Sequence, residues 1–213
     1  MMHALPCLPA WMFGIPRPLQ LRIDVRRGEG HPADDLERIR QRLRRPGAPR
    51  LSTLSIDSGH PGLVFRHREA DGEHYVYVED QASGRLVGYT VFNRLIEVGR
   101  RADPYLRSPH SSFDPAWQRR GLGSAVHRWG LDSGFCLLSG ARLSTGAHAL
   151  WHGLGRDYPL SYVEVRDKAL RHLGAEVAQE LQDDLSVRML LLGSGWDLAR
   201  LAQATGMQVQ EMG

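Results

Sequence analysis

Short blocks of apolar residues recur along the chain, and their spacing changes from two to three-and-four. Glu73-His74-Tyr75-Val76-Tyr77-Val78-Glu79 is rich in β-branched and aromatic residues, and Leu86 to Phe92 repeats that character after the turn Asp80-Gln81-Ala82-Ser83-Gly84. The pair predicts a β-hairpin. Leu106 to Phe113 predicts a third strand; it is polar and carries Pro109, so it is expected to be bulged or splayed. Leu122, Ala125, Val126 and Trp129 then fall at i, i+3, i+4 and i+7, one face of a helix that Gly134 would stop. Phe135 to Leu138 reads as a buried strand, and Ala147, Leu150, Trp151 and Leu154 mark a second helix. Leu160 to Val165 and Leu185 to Leu192 are further strand candidates.

At the join between the third strand and the first of these helices lies Phe113-Asp114-Pro115-Ala116-Trp117-Gln118-Arg119-Arg120-Gly121-Leu122-Gly123. Two glycines there let backbone N–H groups converge with no Cβ in the way. A helix starting at about Gly121 adds its positive end to the same spot. That combination is a pyrophosphate cradle.

The Gln/Arg-x-x-Gly-x-Gly pattern behind a Val-x-Pro-like strand end resembles the acetyl-CoA loop of the GNAT family of N-acetyltransferases. The order hairpin, strand, loop, helix, strand, helix, strand, strand is similar to the core of that fold. Ser144-x-x-Ala147-x-x-Leu150-Trp151 resembles the family's Asn-x-x-Ala-x-x-Leu-Tyr, agreeing at two positions and departing at two. The resemblance runs from about Gly72 to Leu192 and is strongest at 113–131 and 144–151.

The resemblance implies an α/β (α+β) fold: a mixed central sheet with a splayed acetyl-CoA-binding strand and flanking helices. It implies an acetyl-CoA-dependent N-acetyltransferase whose amine acceptor attacks the thioester directly, with acetyl-CoA as cosubstrate and no metal. Phe113, Gln118, Arg119, Arg120, Gly121, Leu122, Gly123, Ser124 and Ser144 would hold the coenzyme. An alkyl amine is mostly protonated at neutral pH, so a base is needed. Glu97 is the first candidate and His110 the second; Glu79 and Asp114 are weaker ones. The family's tyrosine acid falls at Trp151, a poor proton donor. Either the thiolate leaves unaided, or Tyr158 substitutes, or the protein is a non-catalytic GNAT-like module that binds coenzyme A or a protein partner.

Composition narrows this picture. The chain has 213 residues, 42% of them hydrophobic, enough for one domain with extensions. The expected division is an extension over 1–19, the domain over 20–192, and a further extension over 193–213 carrying a docked terminal helix. No apolar run reaches the ~20 residues that cross a bilayer. The apolar start is broken by Pro6, Pro9 and Pro16, which argues against a signal peptide. With only Cys7 and Cys136, a reduced, cytoplasmic protein is expected, with no membrane partner.

The net charge of +3 does not argue for nucleic acid, because 26 of the 27 basic residues are Arg, Lys168 is the lone lysine and Asn93 the lone asparagine, a coding bias. Ten Arg lie between Arg17 and Arg50 against five acids; Asp35 to Arg45 reads there as an amphipathic helix, with Leu36, Ile39 and Leu43 inward and a solvated basic face. The same basic face could instead help bind an acidic acceptor. His148 and His152 have i, i+4 spacing but no third ligand. Asp197 to Met207 resembles the start of a helix-turn-helix, but too little chain follows it for a recognition helix. The acceptor, the acyl-chain preference and the oligomeric state stay open, a homodimer among the options.

Overall fold

The computed structural model describes residues 32–209. Cys7, the expected extension over 1–19 and the first residues of the expected domain lie outside them. The order is α1 (Pro32–Leu43), β1 (Ser52–Leu54), β2 (Leu63–Ala70), β3 (Glu73–Asp80), β4 (Arg85–Asn93), β5 (Leu106–Phe113), α2 (Leu122–Asp132), β6 (Cys136–Leu138), α3 (Thr145–Leu154), β7 (Leu160–Arg166), β8 (Ala169–Gly174), α4 (Gln179–Gln182), β9 (Val187–Leu191), α5 (Leu198–Thr205) and β10 (Gln208–Val209). Every element expected from the spacing is present. β1, β2, β8, β10 and α4 are additional.

One sheet runs β1-β2-β3-β4-β5-β6-β9-β7-β8-β10. β1 to β5 are antiparallel neighbours, and β6 lies parallel to β5. Alternation sorts the side chains into two cores. Leu137 and Leu191 join Val76, Phe92, Val126, Trp151 and Leu154 under α2 and α3. Cys136, Leu138, Leu190 and Leu192 point the other way, to Leu95, Val98, Leu106, Leu201 and Met207. Cys136 is buried and unpaired, and burial pushes its thiol up to about 11.

Residues 193–209 are folded into this second core. α5 is capped by Asp197, buries Leu201 fully, and leads into β10, which pairs with β8. α1 buries Leu36 and lies along β4, while Ile39 and Leu43 are only half-buried. β9 starts at Val187 rather than Leu185, because Asp184 holds Ser186 and Val187 in a turn that leaves Leu185 exposed. Among the described residues no helix is long and apolar enough to cross a membrane.

Candidate active site

β5 is shared between two neighbours that diverge. It pairs with β4 from Ser108 to Phe113, but with β6 only at Leu106 and Arg107. Beyond that point the line of β6 turns to β9: the Ser139 N–H donates to the Met189 carbonyl at 2.9 Å, and the Met189 N–H donates to Ser139 Oγ at 3.0 Å. A wedge-shaped gap is left on that side of β5 from Ser108 onward. The splayed strand expected from Pro109 and the polar residues is therefore present.

The loop at the open end of the gap is shaped by short-range bonds. Asp114 donates its N–H to the Val87 carbonyl and caps a turn of 3-10 helix over Pro115–Trp117, accepting from the Ala116 N–H at 2.9 Å. Gln118 donates its side-chain amide to the Phe113 carbonyl at 3.0 Å, which closes the loop on itself. Arg119 (φ +56°) and Gly121 (φ +81°) both sit in the left-handed region. Such reversals turn successive N–H groups toward one concave point.

α2 then begins with no side-chain cap, and its first internal bond runs from the Ala125 N–H to the Gly121 carbonyl. The N–H groups of Leu122, Gly123 and Ser124 precede that bond and point out of the helix start. Gly121 has open space where a Cβ would lie. Gly123 does not: a Cβ there would lie 3.1 Å from Leu150 of α3. The first glycine serves the loop's conformation, and the second serves the close packing of α2 on α3. Ser144 stands at the start of α3, where its Oγ accepts the Ala147 N–H at 3.2 Å.

Sequence reasoning missed a buttress of this loop. His60, between β1 and β2, donates from Nε2 to the Arg120 carbonyl at 2.9 Å, since a carbonyl can only accept. Its ring meets the Trp117 indole edge-on at 6.0 Å, and the Arg120 guanidinium lies over the same indole at 5.1 Å. Only a contact across 60 residues links His60 to the loop, and no local spacing announces it.

The candidates for proton transfer lie outside this loop. His110 of β5 is half-buried, packs against Tyr89 at 6.3 Å, and is held below its ordinary pKa by burial. Its neighbour Ser111 points to the opposite face, with its Oγ 2.8 Å from Thr90 Oγ. Glu97 lies in the segment that follows β4, next to Val98, which bridges to Lys168 in the turn after β7. Its carboxylate is 2.7 Å from the guanidinium of Arg188, which is 5% exposed, whereas Glu97 is 48% exposed. Glu97, the first candidate base, is therefore also the counter-charge of a buried arginine. Glu79 similarly faces Arg44 and Arg66, and Asp114 is occupied as a cap.

Tyr158 donates its hydroxyl to Asp132, the last residue of α2, at 2.7 Å. Burial and that carboxylate push it up to about 12. α2 has 11 residues, so its two ends stand roughly 16 Å apart. The glycine loop is at the start of α2 and Tyr158 at its end, so the structure does not bring Tyr158 to that loop. Trp151 is 3% exposed and belongs to the first core. Across α3, an open cavity of about 680 Å³ is lined by Ser139, Arg142, His148, Tyr162, Asp183 and Met189, among others. His148 and His152 touch through Nε2 at 3.1 Å, and no group of three metal-ligand side chains occurs among the described residues.

The order of strands and helices, with β5 parting from β6 above an uncapped helix start, is the order that the sequence's resemblance to the GNAT family implies. Several solved structures are similar to the chain at low identity. One is a GNAT-superfamily phosphinothricin acetyltransferase from Sinorhizobium meliloti in complex with acetyl-CoA, 19% identical, with a TM-score of 0.38 over 58% of this chain and 63% of that one. A cAMP-binding acyltransferase from Mycobacterium smegmatis is 16% identical, with a TM-score of 0.40 over 81% of this chain and 57% of that one. A mutant of the spermidine N-acetyltransferase SpeG from Vibrio cholerae is 16% identical, with a TM-score of 0.36 over 62% and 72%. The chain thus spans less than two thirds of the first two. No protein-family model and no curated protein matches the chain.

Proposed function

We propose that the chain is an acetyl-CoA-dependent N-acetyltransferase, a cytoplasmic enzyme with its catalytic domain from about residue 20 to 192 and the α5 segment packed onto it. The observation that carries this is the gap between β5 and β6, closed at Leu106 and open at the uncapped start of α2. A strand with an unpaired edge suits an amide-bearing arm, and free N–H groups in a left-handed loop suit a pyrophosphate. Main-chain groups of 119–124 take the phosphates, Arg119 and Arg120 add charge, and Gln118 and Phe113 keep the loop closed.

In the reaction the amine nitrogen attacks the thioester carbonyl, the C–S bond breaks, coenzyme A leaves as the thiolate, and one amine proton passes to a base. His110 is the side chain best placed to accept it. Burial keeps its imidazole neutral at pH 7, and it has no ion-pair partner among the described residues. A thiol ionises near ~8.5, so the thiolate needs no protein acid, and neither Trp151 nor Tyr158 is assigned one.

Incubation with acetyl-CoA and a panel of primary amines and peptides, read as free thiol, tests the proposal. Thiol release that requires an amine is the expected outcome. Tight coenzyme A binding with no release from any acceptor would favour the second reading, a non-catalytic binding module. Trp151, buried where the family's proton donor is expected, is the observation on that side.

A further inference from the structure

The peptide between Arg120 and Gly121 has two orientations open to it. A trans peptide is planar, so the Arg120 carbonyl and the Gly121 N–H point in opposite directions. Rotating that plane by half a turn exchanges them, and a glycine on its C-terminal side makes the exchange cheap, because glycine accepts φ of either sign. One orientation offers an N–H at the cradle. The other offers a carbonyl, which repels an anion.

His60 touches that peptide. Its Nε2–H takes the Arg120 carbonyl at 2.9 Å, and its ring is steadied edge-on against Trp117. Trp117 in turn carries the Arg120 guanidinium on its face. The loop that presents His60 is itself braced: Asp57 accepts the Gly59 N–H at 3.0 Å, the His60 carbonyl accepts the Leu63 N–H, and the Gly62 carbonyl accepts the Gln81 N–H at 2.9 Å. A braced donor therefore reaches across to the carbonyl of that peptide.

We infer that His60 is a positioning residue for coenzyme A, acting through the Arg120–Gly121 peptide: by holding the carbonyl it turns the Gly121 N–H toward the phosphates. The inference rests on the coenzyme A site proposed above. It adds a contribution from the first hairpin's side of the sheet to a cradle otherwise made from one continuous loop.

Calorimetric titration of the full chain with coenzyme A, alongside turnover at saturating acetyl-CoA, tests it. His60→Ala is expected to weaken coenzyme A binding about fivefold to tenfold, the effect of losing one such bond. Turnover at saturation is expected to stay within about twofold, the signature of a residue that aids binding alone. His60→Gln carries an N–H the same number of bonds from Cα and is expected to bind like wild type. His60→Asn is polar but one bond shorter and is expected to bind like His60→Ala, which separates reach from mere folding. Equal binding by all four proteins overturns the role of His60 and leaves the coenzyme site standing. A fall in saturated turnover with binding unchanged also overturns it. A wild-type protein that does not bind coenzyme A overturns the site itself and the inference with it.

Discussion

The loop at the open end of the gap between β5 and β6 and the side chains suited to proton transfer are built from different material. At the open end, around residues 113–124, the work falls to main-chain groups: left-handed turns at Arg119 and Gly121, a self-closed loop, an uncapped helix. Side chains there serve mainly to hold the backbone. The side chains suited to proton transfer, by contrast, are mostly committed: Glu97 to Arg188 and Tyr158 to Asp132, with Trp151 sunk in the core. Binding and chemistry are thus separable by mutation. Changes that move backbone at the open end should cost binding or stability. Changes to committed side chains should cost stability and leave turnover alone.

The largest effect is expected at Gly88. The Phe113 ring lies over it, and a Cβ would come within 2.0 Å of Phe113 Cδ1. The same ring approaches Gly123, so Phe113 is wedged between β4 and the start of α2. Gly88→Ala should lower stability by about 2–3 kcal/mol, the cost of overpacking a fitted core. That is a fall of roughly 5–10 °C in Tm for a domain of this size. Coenzyme A binding should weaken with it. Adding Phe113→Val should recover most of the loss; failure to do so would show that the strain is not carried by the ring.

His127 comes next. It is buried in α2, donates from Nδ1 to the Gly123 carbonyl at 2.8 Å, and is pushed down to about 4 by burial. Its folded value lies below its unfolded one, so its share of stability is whole above about pH 6.5 and is lost as pH falls toward 4. Between pH 7 and pH 5 this amounts to about 2 kcal/mol. In urea unfolding over that range, His127→Leu should lose less stability than wild type by about that amount. Parallel curves would mean that the site opens to water on protonation.

The cradle was legible in the sequence because glycine spacing and a helical period are local facts. Gly121 and the face Leu122, Ala125, Val126 and Trp129 lie within nine residues of one another. The gap was legible too, through Pro109 and the polar run of β5. β2 was not: it opens Leu63-Val64-Phe65 and then turns to Arg66-His67-Arg68-Glu69, so its inward and outward faces carry no clear apolar contrast. Nor were the partners of Glu97 and His60, which lie 91 and 60 residues away. An ionisable residue looks free until the fold supplies its counter-charge.

Glu97 offers the sharpest test of the division. Glu97→Gln leaves the Arg188 guanidinium buried without its charge partner. The expected loss is about 1 kcal/mol, below the figure for a fully buried pair because Glu97 is half exposed. Turnover at saturating substrates should not change. A general base would behave in the opposite way, with turnover down about a hundredfold and Tm unmoved. That result would place the base on Glu97 and remove His110 from the role.

Tyr158→Phe should have the smallest effect. The ring stays packed against the first core, and only the hydroxyl bond to Asp132 is lost. One partly exposed bond to a carboxylate contributes about 0.5–1 kcal/mol, so Tm should fall by roughly 1–3 °C. Turnover should be unchanged at every pH where the protein is folded. The reason is electrostatic as well as geometric: Asp132 opposes ionisation of the phenol, and a group held at about 12 gives up its proton reluctantly to a thiolate whose conjugate acid ionises near ~8.5. A variant that kept its Tm but lost turnover would place Tyr158 in the chemistry.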